Sequence, residues 1–338
     1  MTTLLEQEMI QQATVLAERA GPAMQEAAEA ARLLAGSDVR HLVIAARGSS
    51  DNAARFAQYL FGSEIRTQVG LAAPWLFRDP ERAPRLDGAA VLGISQSGRS
   101  PDIVNVLASA RSQRRPTIAI TEHPDSPLAA QADVVIPLLA GEERSVAATK
   151  TYLASLHAVV QIIEALAPSQ ARRRWLAQLA GLVDSLTASV LAGRSAFDPL
   201  LQAPLVTATG RGLLFSAACE SALKIRELSG IPAEAFSPPD LMHGPIAAVK
   251  TPAATWLIEP DENLYQNIPP GMTTVVISTD QSIRSGDPIA IRLPFGIPAW
   301  VTAILAVIPA QSAALRLAEL GGDDVDNPHG LNKVTLTK

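Results

Sequence analysis

The chain has few of the side chains that staple or metallate a fold. Among 338 residues there is one cysteine, Cys219, and there are five histidines. One cysteine excludes an intrachain disulfide and any cysteine-based metal cluster, and it fits a reducing compartment. No spacing of His, Asp or Glu reads as a metal site, so neither a metal nor an organic cofactor is expected. Charged residues make up 18% of the chain, below the roughly 25% of ordinary soluble domains. The net charge of −5 argues against a nucleic-acid partner. Long apolar runs are also missing. Tyr152–Ala167 is interrupted by His157 and Glu164, and Ile297–Ala310 by Pro298 and Pro309. Both fall short of the ~20 apolar residues of a membrane span. The first thirty residues scatter Glu6, Glu8, Glu18, Arg19 and Glu26 among alanines and leucines, the pattern of an amphipathic acidic helix and not of a targeting segment. These absences predict a soluble, cytoplasmic protein with no membrane partner. What is abundant is apolar surface. Hydrophobic residues reach 48%, enough to offset chain entropy, so disorder is excluded as the main state. At roughly 150 residues per domain the length predicts two domains.

After an N-terminal helix ending near Gly36, the run His41–Ala46 is short, apolar and partly β-branched, as a buried parallel strand would be. Further strands are expected at Ala89–Ile94, Thr117–Thr121 and Asp133–Leu138, with helices at Asn52–Phe61, Ser100–Gln113 and Thr149–Leu166. Strands alternating with helices predict an α/β fold, a doubly wound parallel sheet. The same grammar returns about 164 positions later. Val206–Gly212 echoes Val43–Gly48, Thr255–Ile258 echoes Val91–Ile94, Thr274–Thr279 echoes Thr117–Thr121, and Ile289–Leu293 echoes the strand near Val134. A helix, Ala299–Leu320, closes the second copy. Four echoes in order predict an internal duplication. The expected organisation is a helical segment over 1–36, one domain over 37–167, a helical linker over 168–202, a second domain over 203–320 and a tail over 321–338.

The copies differ at one loop. After Ile94 the first reads Ser95-Gln96-Ser97-Gly98-Arg99-Ser100; after Ile258 the second reads Glu259-Pro260-Asp261-Glu262. The first leaves a strand and enters a helix that Pro101-Asp102 starts well. Its small hydroxyl side chains and unobstructed amides suit a phosphate at the positive end of a helix. A plain strand-to-helix turn capped by Ser100 is the alternative. Gly48-Ser49-Ser50 follows another strand of the same half, and two such loops at the carboxyl ends of a parallel sheet fit the rule for ligand crevices. In the second half Glu220, Lys224 and Glu227 share one helix face. That spacing is also an ordinary surface ion pair. An irregular segment, Ala233–Pro245, then holds His243 between Met242 and Gly244-Pro245. The tail Gly321–Lys333, with Asp326-Asn327-Pro328, reads as frayed or as a docked turn.

Six ordered segments together resemble the double sugar-isomerase-domain family: Gly48-Ser49-Ser50, Ser95–Ser100, Val146–Lys150, Glu220–Glu227, Leu241–Pro245, and Asp324–Pro328 with Leu331–Lys333. The layout is that of the isomerase half of glutamine–fructose-6-phosphate aminotransferases. The resemblance implies two tandem flavodoxin-like domains, a homodimer and a hexose-6-phosphate or amino-sugar-phosphate ligand. It implies phosphate and sugar contacts from Gly48, Ser49, Ser50, Ser95, Gln96, Ser97 and Ser100, with Val146 and Ala148 in a further ligand loop. By the same likeness Glu227 is the base between C1 and C2, Glu220 and Lys224 are its neighbours, His243 opens the sugar ring from the partner subunit, and Lys333 lies near the sugar carbonyl. Three departures matter. The chain opens Met1-Thr2 without an N-terminal cysteine nucleophile, so glutamine is not expected as an ammonia source. Ala148 replaces a serine of the aminotransferase loop, and Arg99 replaces an acidic residue. Glu142–Thr151 is instead similar to stand-alone glucosamine-6-phosphate deaminases of this fold, and deamination of glucosamine 6-phosphate is the activity implied. A phosphosugar isomerase, a fructosamine-phosphate deglycase and a non-catalytic sugar-phosphate sensor are the alternatives.

Overall fold

The structure, a computed structural model, describes residues 2–36, 38–280, 289–328 and 330–333. The first half of the chain runs α1 (Leu4–Arg19), α2 (Met24–Leu34), β1 (His41–Ala45), α3 (Ser49–Glu64), β2 (Gln68–Leu71), β3 (Ala89–Ile94), α4 (Pro101–Ser112), β4 (Thr117–Thr121), β5 (Val134–Pro137), α5 (Lys150–Leu166) and α6 (Gln170–Ala192). The second half runs β6 (Val206–Gly210), α7 (Leu214–Ser229), β7 (Ala233–Phe236), α8 (Pro238–Met242), β8 (Ala254–Ile258), α9 (Glu262–Asn267), β9 (Thr273–Ser278), β10 (Ile289–Arg292), α10 (Ala299–Leu305) and α11 (Ile308–Gly321).

Among the described residues the strands form two five-stranded sheets, ordered β2-β1-β3-β4-β5 and β10-β9-β8-β6-β7. All pairings are parallel. Numbered within its own half, the second order is the first read backwards, and both are the flavodoxin-like order. The registers agree as well: Ala45 pairs with Gly93 in one sheet, and Gly210 with Ile258 in the other. The two tandem α/β folds expected from the echoes are therefore present. Strands β3, β4, β6 and β8 are buried along their whole length. The apolar runs of β3 and β8 follow from helices covering both faces of a parallel sheet, and β4 and β6 bury threonines among their apolar residues.

The chain packs as two compact units. The first comprises Thr14–Glu143, Lys150–Ala180 and Asn332–Lys338, and the second Met1–Ala13, Arg144–Thr149 and Gly181–Leu331. In the first, Ala45, Val91 and Ala119 of the sheet pack with Ile103, Val106 and Leu107 of α4. In the second, Ala314, Leu315 and Ala318 of α11 pack with Leu228 of α7 and with Leu5 and Met9 of α1.

Four local expectations need correction. The N-terminal helix is two helices, broken where Gly21-Pro22 interposes a residue without an amide hydrogen. The closing helix is likewise split, because Pro309 cannot donate to Leu305 and its ring would strike that carbonyl. Strands β2 and β7 lie in segments that carry no strand signature. Both are edge strands, held by pairing to β1 and β6 and not by their own side chains. Finally, Gln170–Ala192 and Ala299–Gly321 do reach the length and hydropathy of a membrane span. The second is buried over 94% of its most apolar stretch, as core helices are, and the first opens on Arg172, Arg173 and Arg174.

The polar interruptions of α5 are spoken for. Glu164 pairs with Arg172 at 3.0 Å and Arg173 at 2.7 Å. His157 accepts from the guanidinium of Arg19, which also donates to Gln161 Oε1 at 2.9 Å and to the carbonyl of Leu138 at 3.0 Å. Burial lowers the Arg19 pKa to about 9, partly countered by the charge of Glu122. Burial, and then the Arg19 charge, hold His157 well below the ordinary imidazole value. The neutral ring is also the form that can accept from Arg19. Because the folded pKa is depressed, this group's contribution to stability is complete above its unfolded value near 6.5 and is lost as pH falls below it. Between pH 7.5 and 5.5 the wild-type chain should lose about 1.4 kcal/mol more unfolding free energy than His157→Gln. Urea titrations at the two pH values measure this, and equal losses in the two proteins would refute it.

Candidate functional site

The first unit supplies two loops at the carboxyl edge of its sheet. β1 and β3 are neighbours, and each hands its chain to a helix start. α3 begins on Gly48 at φ 58°, which brings no capping side chain. α4 begins on Ser100, whose hydroxyl makes no capping bond, so the reading of Ser100 as an ordinary side-chain cap does not hold. Both helices thus present first-turn amides and their positive dipole end without a side chain spent on them. The loops are tied together by Arg47, whose guanidinium meets Asp102 Oδ2 at 2.8 Å.

The Ser95–Ser100 loop is tightly built. Ser95 N–H donates to Ile120 O at 3.0 Å, Ser95 Oγ accepts Gly98 N–H at 3.2 Å, and Ser97 Oγ accepts Arg99 N–H at 3.3 Å. Gln96 holds the neighbouring strand end, its carbonyl accepting from Glu122 N–H at 3.1 Å. Gly98 sits at φ 61°, and a Cβ there would lie 2.1 Å from Ser126 Oγ. The glycine is thus required both by conformation and by space.

Beside this loop lies an open cleft of about 360 Å³, lined by Gln96, Ser97, Arg99, Glu122, His123, Gly141, Glu142, Glu143 and Lys333. Lys333 Nζ meets Glu143 Oε2 at 2.6 Å. Glu143 in turn accepts from the hydroxyl of Thr151 at 2.6 Å and from its amide at 3.1 Å. Lys333 is therefore held there, beside Gln96 and Ser97. Glu122 accepts the amides of Ala140 at 2.9 Å and Gly141 at 3.0 Å. Burial raises its pKa, opposed by those two amides. Sequence reasoning missed Glu122, His123 and Glu143 as lining residues, because they come together only when the loops after β4 and β5 converge.

In the second unit α7 carries Glu220, Lys224 and Glu227. The surface-pair reading fails: the side chains of Lys224 and Glu220 are 0% and 1% exposed, and that of Glu227 is 25% exposed. Lys224 Nζ lies 2.7 Å from Glu227 Oε2 and 3.5 Å from Glu220 Oε1. One buried cation between two carboxylates fixes the rotamers of all three and leaves only Glu227 reachable from solvent. His243 ends α8 as an exposed residue. Among the described residues nothing hydrogen-bonds its imidazole, and no bond joins it to the α7 trio. Val146 and Ala148 are half-buried, alternating with the buried Ser145, Ala147 and Thr149.

The second copy of the serine loop is occupied from within. Glu259 N–H donates to Ile277 O at 2.9 Å, as Ser95 N–H does to Ile120. The Glu259 carboxylate accepts Thr279 N–H at 2.6 Å and the Ser278 hydroxyl at 2.8 Å. At the start of α9 Asp261 Oδ1 accepts Leu264 N–H at 2.8 Å, so carboxylates of the chain itself meet both the strand end and the helix start.

Residues 37–165 match the family model of the SIS domain. A glutamine–fructose-6-phosphate aminotransferase of Mycolicibacterium paratuberculosis is 29% identical over 322 residues, covering 88% of this chain and 51% of that protein. The chain thus spans about half the length of the aminotransferases it matches. The C-terminal domain of glucosamine-fructose-6-phosphate aminotransferase from Francisella tularensis superposes with a TM-score of 0.85 at 22% identity, covering 97% of this chain and 99% of that one. Glucosamine-6-phosphate deaminase from Thermotoga maritima does so with a TM-score of 0.76 at 19% identity, covering 99% and 100%. At these identities the likeness to the solved structures is one of fold.

Gly98→Ala should cost about 3 kcal/mol of unfolding free energy, from the steric overlap with Ser126 and the left-handed backbone. Urea unfolding checks it; a cost under about 0.5 kcal/mol would contradict the packing described.

Proposed function

We propose that this chain, an SIS-domain protein, is a glucosamine-6-phosphate deaminase, converting D-glucosamine 6-phosphate and water to D-fructose 6-phosphate and ammonia. The observation that carries the proposal is the α7 trio, in which a buried lysine orients one solvent-reachable carboxylate, Glu227. Such a carboxylate is a ready general base. The serine loops of the first unit suit the substrate's phosphate, which takes no part in the bond changes and serves to anchor the sugar. The likeness of Glu142–Thr151 to stand-alone deaminases supports deamination over isomerisation alone.

The sequence of steps follows from the substrate. His243 moves the proton of the C1 hydroxyl to the ring oxygen as the C1–O5 bond breaks, giving the open-chain aldehyde. Glu227 removes the C2 hydrogen as O1 takes a proton from solvent, leaving an enolamine, and returns the C2 proton to C1, which becomes CH₂OH as the nitrogen releases a proton to solvent and C2 becomes an imine. Water adds to C2 and ammonia departs, leaving the ketose. Lys224 keeps the Glu227 carboxylate oriented, and Lys333 offers a positive charge to the developing oxyanion. Within this proposal the enzyme is a homodimer, and His243, exposed on its own chain, serves the partner's substrate.

Ammonia release and fructose 6-phosphate formation, scored across amino-sugar and fructosyl-amine phosphates, test the reading. One ammonia per fructose 6-phosphate from glucosamine 6-phosphate is expected. Aldose–ketose exchange without ammonia would make the protein an isomerase. Release of a larger amine would make it a deglycase, and binding without turnover a sensor. Glu227→Gln should lower kcat by about 10²-fold or more with KM nearly unchanged; near-normal ammonia release would remove Glu227 from the mechanism. Mixing Glu227→Gln with His243→Ala chains should recover activity through heterodimers, and no recovery after verified subunit exchange would refute the shared site.

A further inference from the structure

We infer that Glu8, on the amino-terminal helix, is a positioning residue for the loop 144–149; this rests on the deaminase reading and on the family resemblance that puts Val146 and Ala148 in a ligand loop. Glu8 is 4% exposed, though it lies on a helix that reads as an acidic surface element. Its Oε1 accepts the amide of Arg144, and its Oε2 accepts the amide of Ser145 at 3.2 Å and the hydroxyl of Ser145. No cation pairs with it among the described residues. Both oxygens are spent on one short stretch of backbone, so the carboxylate holds geometry and does not balance charge.

The loop is fixed from the same side by packing. The Ser145 hydroxyl has a second acceptor, the carbonyl of Ala147, at 2.9 Å. Ala147 is buried with Leu5 and Met9, which sit on α1 with Glu8. With Ser145, Ala147 and Thr149 turned inward, the alternation of the chain leaves Val146 and Ala148 as the half-exposed pair. α1 is itself anchored at its start, where Asp326 accepts the amide of Leu4 at 2.9 and 3.0 Å. Val325, next to it, joins the same apolar cluster. The N-terminal helix is thus the mould against which the loop backbone is set.

Glu8→Gln keeps the size of the side chain but turns one acceptor into an NH₂ group facing backbone N–H donors. Two readouts are taken on the full chain: steady-state kinetics with glucosamine 6-phosphate, and amide hydrogen exchange. The expected result is a KM raised about tenfold with kcat within about threefold, because ground-state and transition-state contacts of the loop are lost together. Exchange at Arg144 and Ser145 should quicken about tenfold or more, with the α7 amides unchanged. A merely structural role would lower the active fraction, so apparent kcat would fall at constant KM; that outcome overturns the inference. So does unaltered exchange at Arg144 and Ser145, or faster exchange with unchanged KM. Ser145→Ala, which spares both amide bonds, should raise KM by less than Glu8→Gln, and it carries the kinetic test if Glu8→Gln does not fold; an unchanged KM there refutes the inference. If the wild-type chain does not turn over the sugar phosphate, the deaminase reading has failed. The positioning role is then decided by exchange and by glucosamine 6-phosphate affinity, which should weaken about tenfold in Glu8→Gln.

Discussion

Each strand of a parallel sheet ends by releasing its chain into a loop whose amides have left the ladder, and those amides need acceptors. This constraint shapes the carboxyl edges of both sheets and much of what surrounds them. The recurrent answer is a carboxylate. Glu122 takes Ala140 and Gly141, Glu143 takes Thr151, Glu259 takes Thr279, Glu8 takes Arg144 and Ser145, and Asp326 takes the first amides of α1. A carboxylate accepting backbone amides makes strong, charge-assisted bonds and orders irregular chain without regular secondary structure. The helix starts at Gly48 and Ser100 take no side-chain cap, and neither do α2, α7, α10 and α11, whereas Ser237 and Asp261 cap α8 and α9.

The α7 trio obeys a stricter version of the same rule. A buried ammonium costs several kcal/mol in lost hydration unless it is paired. Lys224 is fully buried and has two carboxylates within 3.5 Å, one buried and one partly open. The arrangement contributes little net stability, since desolvation consumes most of the attraction. It does produce orientation. Glu227 is held at 2.7 Å by a group that cannot move, on a helix packed against Leu315 and Ala318 of α11 through Leu228. Preorganisation of this kind is what a base needs if no rotamer search is to precede each proton transfer.

Much of the fold was legible because burial on both faces writes itself into composition. Ala89–Ile94 and Thr117–Thr121 could be read to the residue, since every side chain in them is buried. Gln68–Leu71 and Ala233–Phe236 could not, because an edge strand is stabilised by its neighbour's ladder and need not be apolar. The helix count was misread at Gly21-Pro22 and at Pro309, where proline breaks what the apolar pattern reads as one helix. In the candidate site, the serine loops and the i, i+4, i+7 spacing of α7 are visible in sequence, but the spacing alone cannot tell a solvated ion pair from a buried one. Glu8 and Glu122 carry no local signal, and Glu143 is marked only as part of the Glu142–Thr151 resemblance. Their partners lie on other elements, and for Glu8 they are more than a hundred residues away.

The two halves of the chain differ at the loop that leaves the third strand of each. Ser95 and Glu259 leave equivalent strands, and their amides donate to equivalent neighbours. In one copy a hydroxyl occupies the position, Gly98 permits the tight return, and Ser97 and Ser100 follow. In the other a carboxylate satisfies the adjacent strand end, at the cost of a left-handed backbone at Glu259, φ 47°. That strain, of order 1–2 kcal/mol for a residue with a Cβ, is offset by two hydrogen bonds to a charged acceptor, each worth about 1.5–3 kcal/mol. An internal anion is always present, so the second copy gains rigidity and gives up the possibility of a ligand. At the same position the first copy carries the Ser95 hydroxyl, which accepts Gly98 N–H. The difference runs along the whole loop: Asp261 caps α9, its Oδ1 accepting Leu264 N–H at 2.8 Å, where Ser100 makes no capping bond to α4.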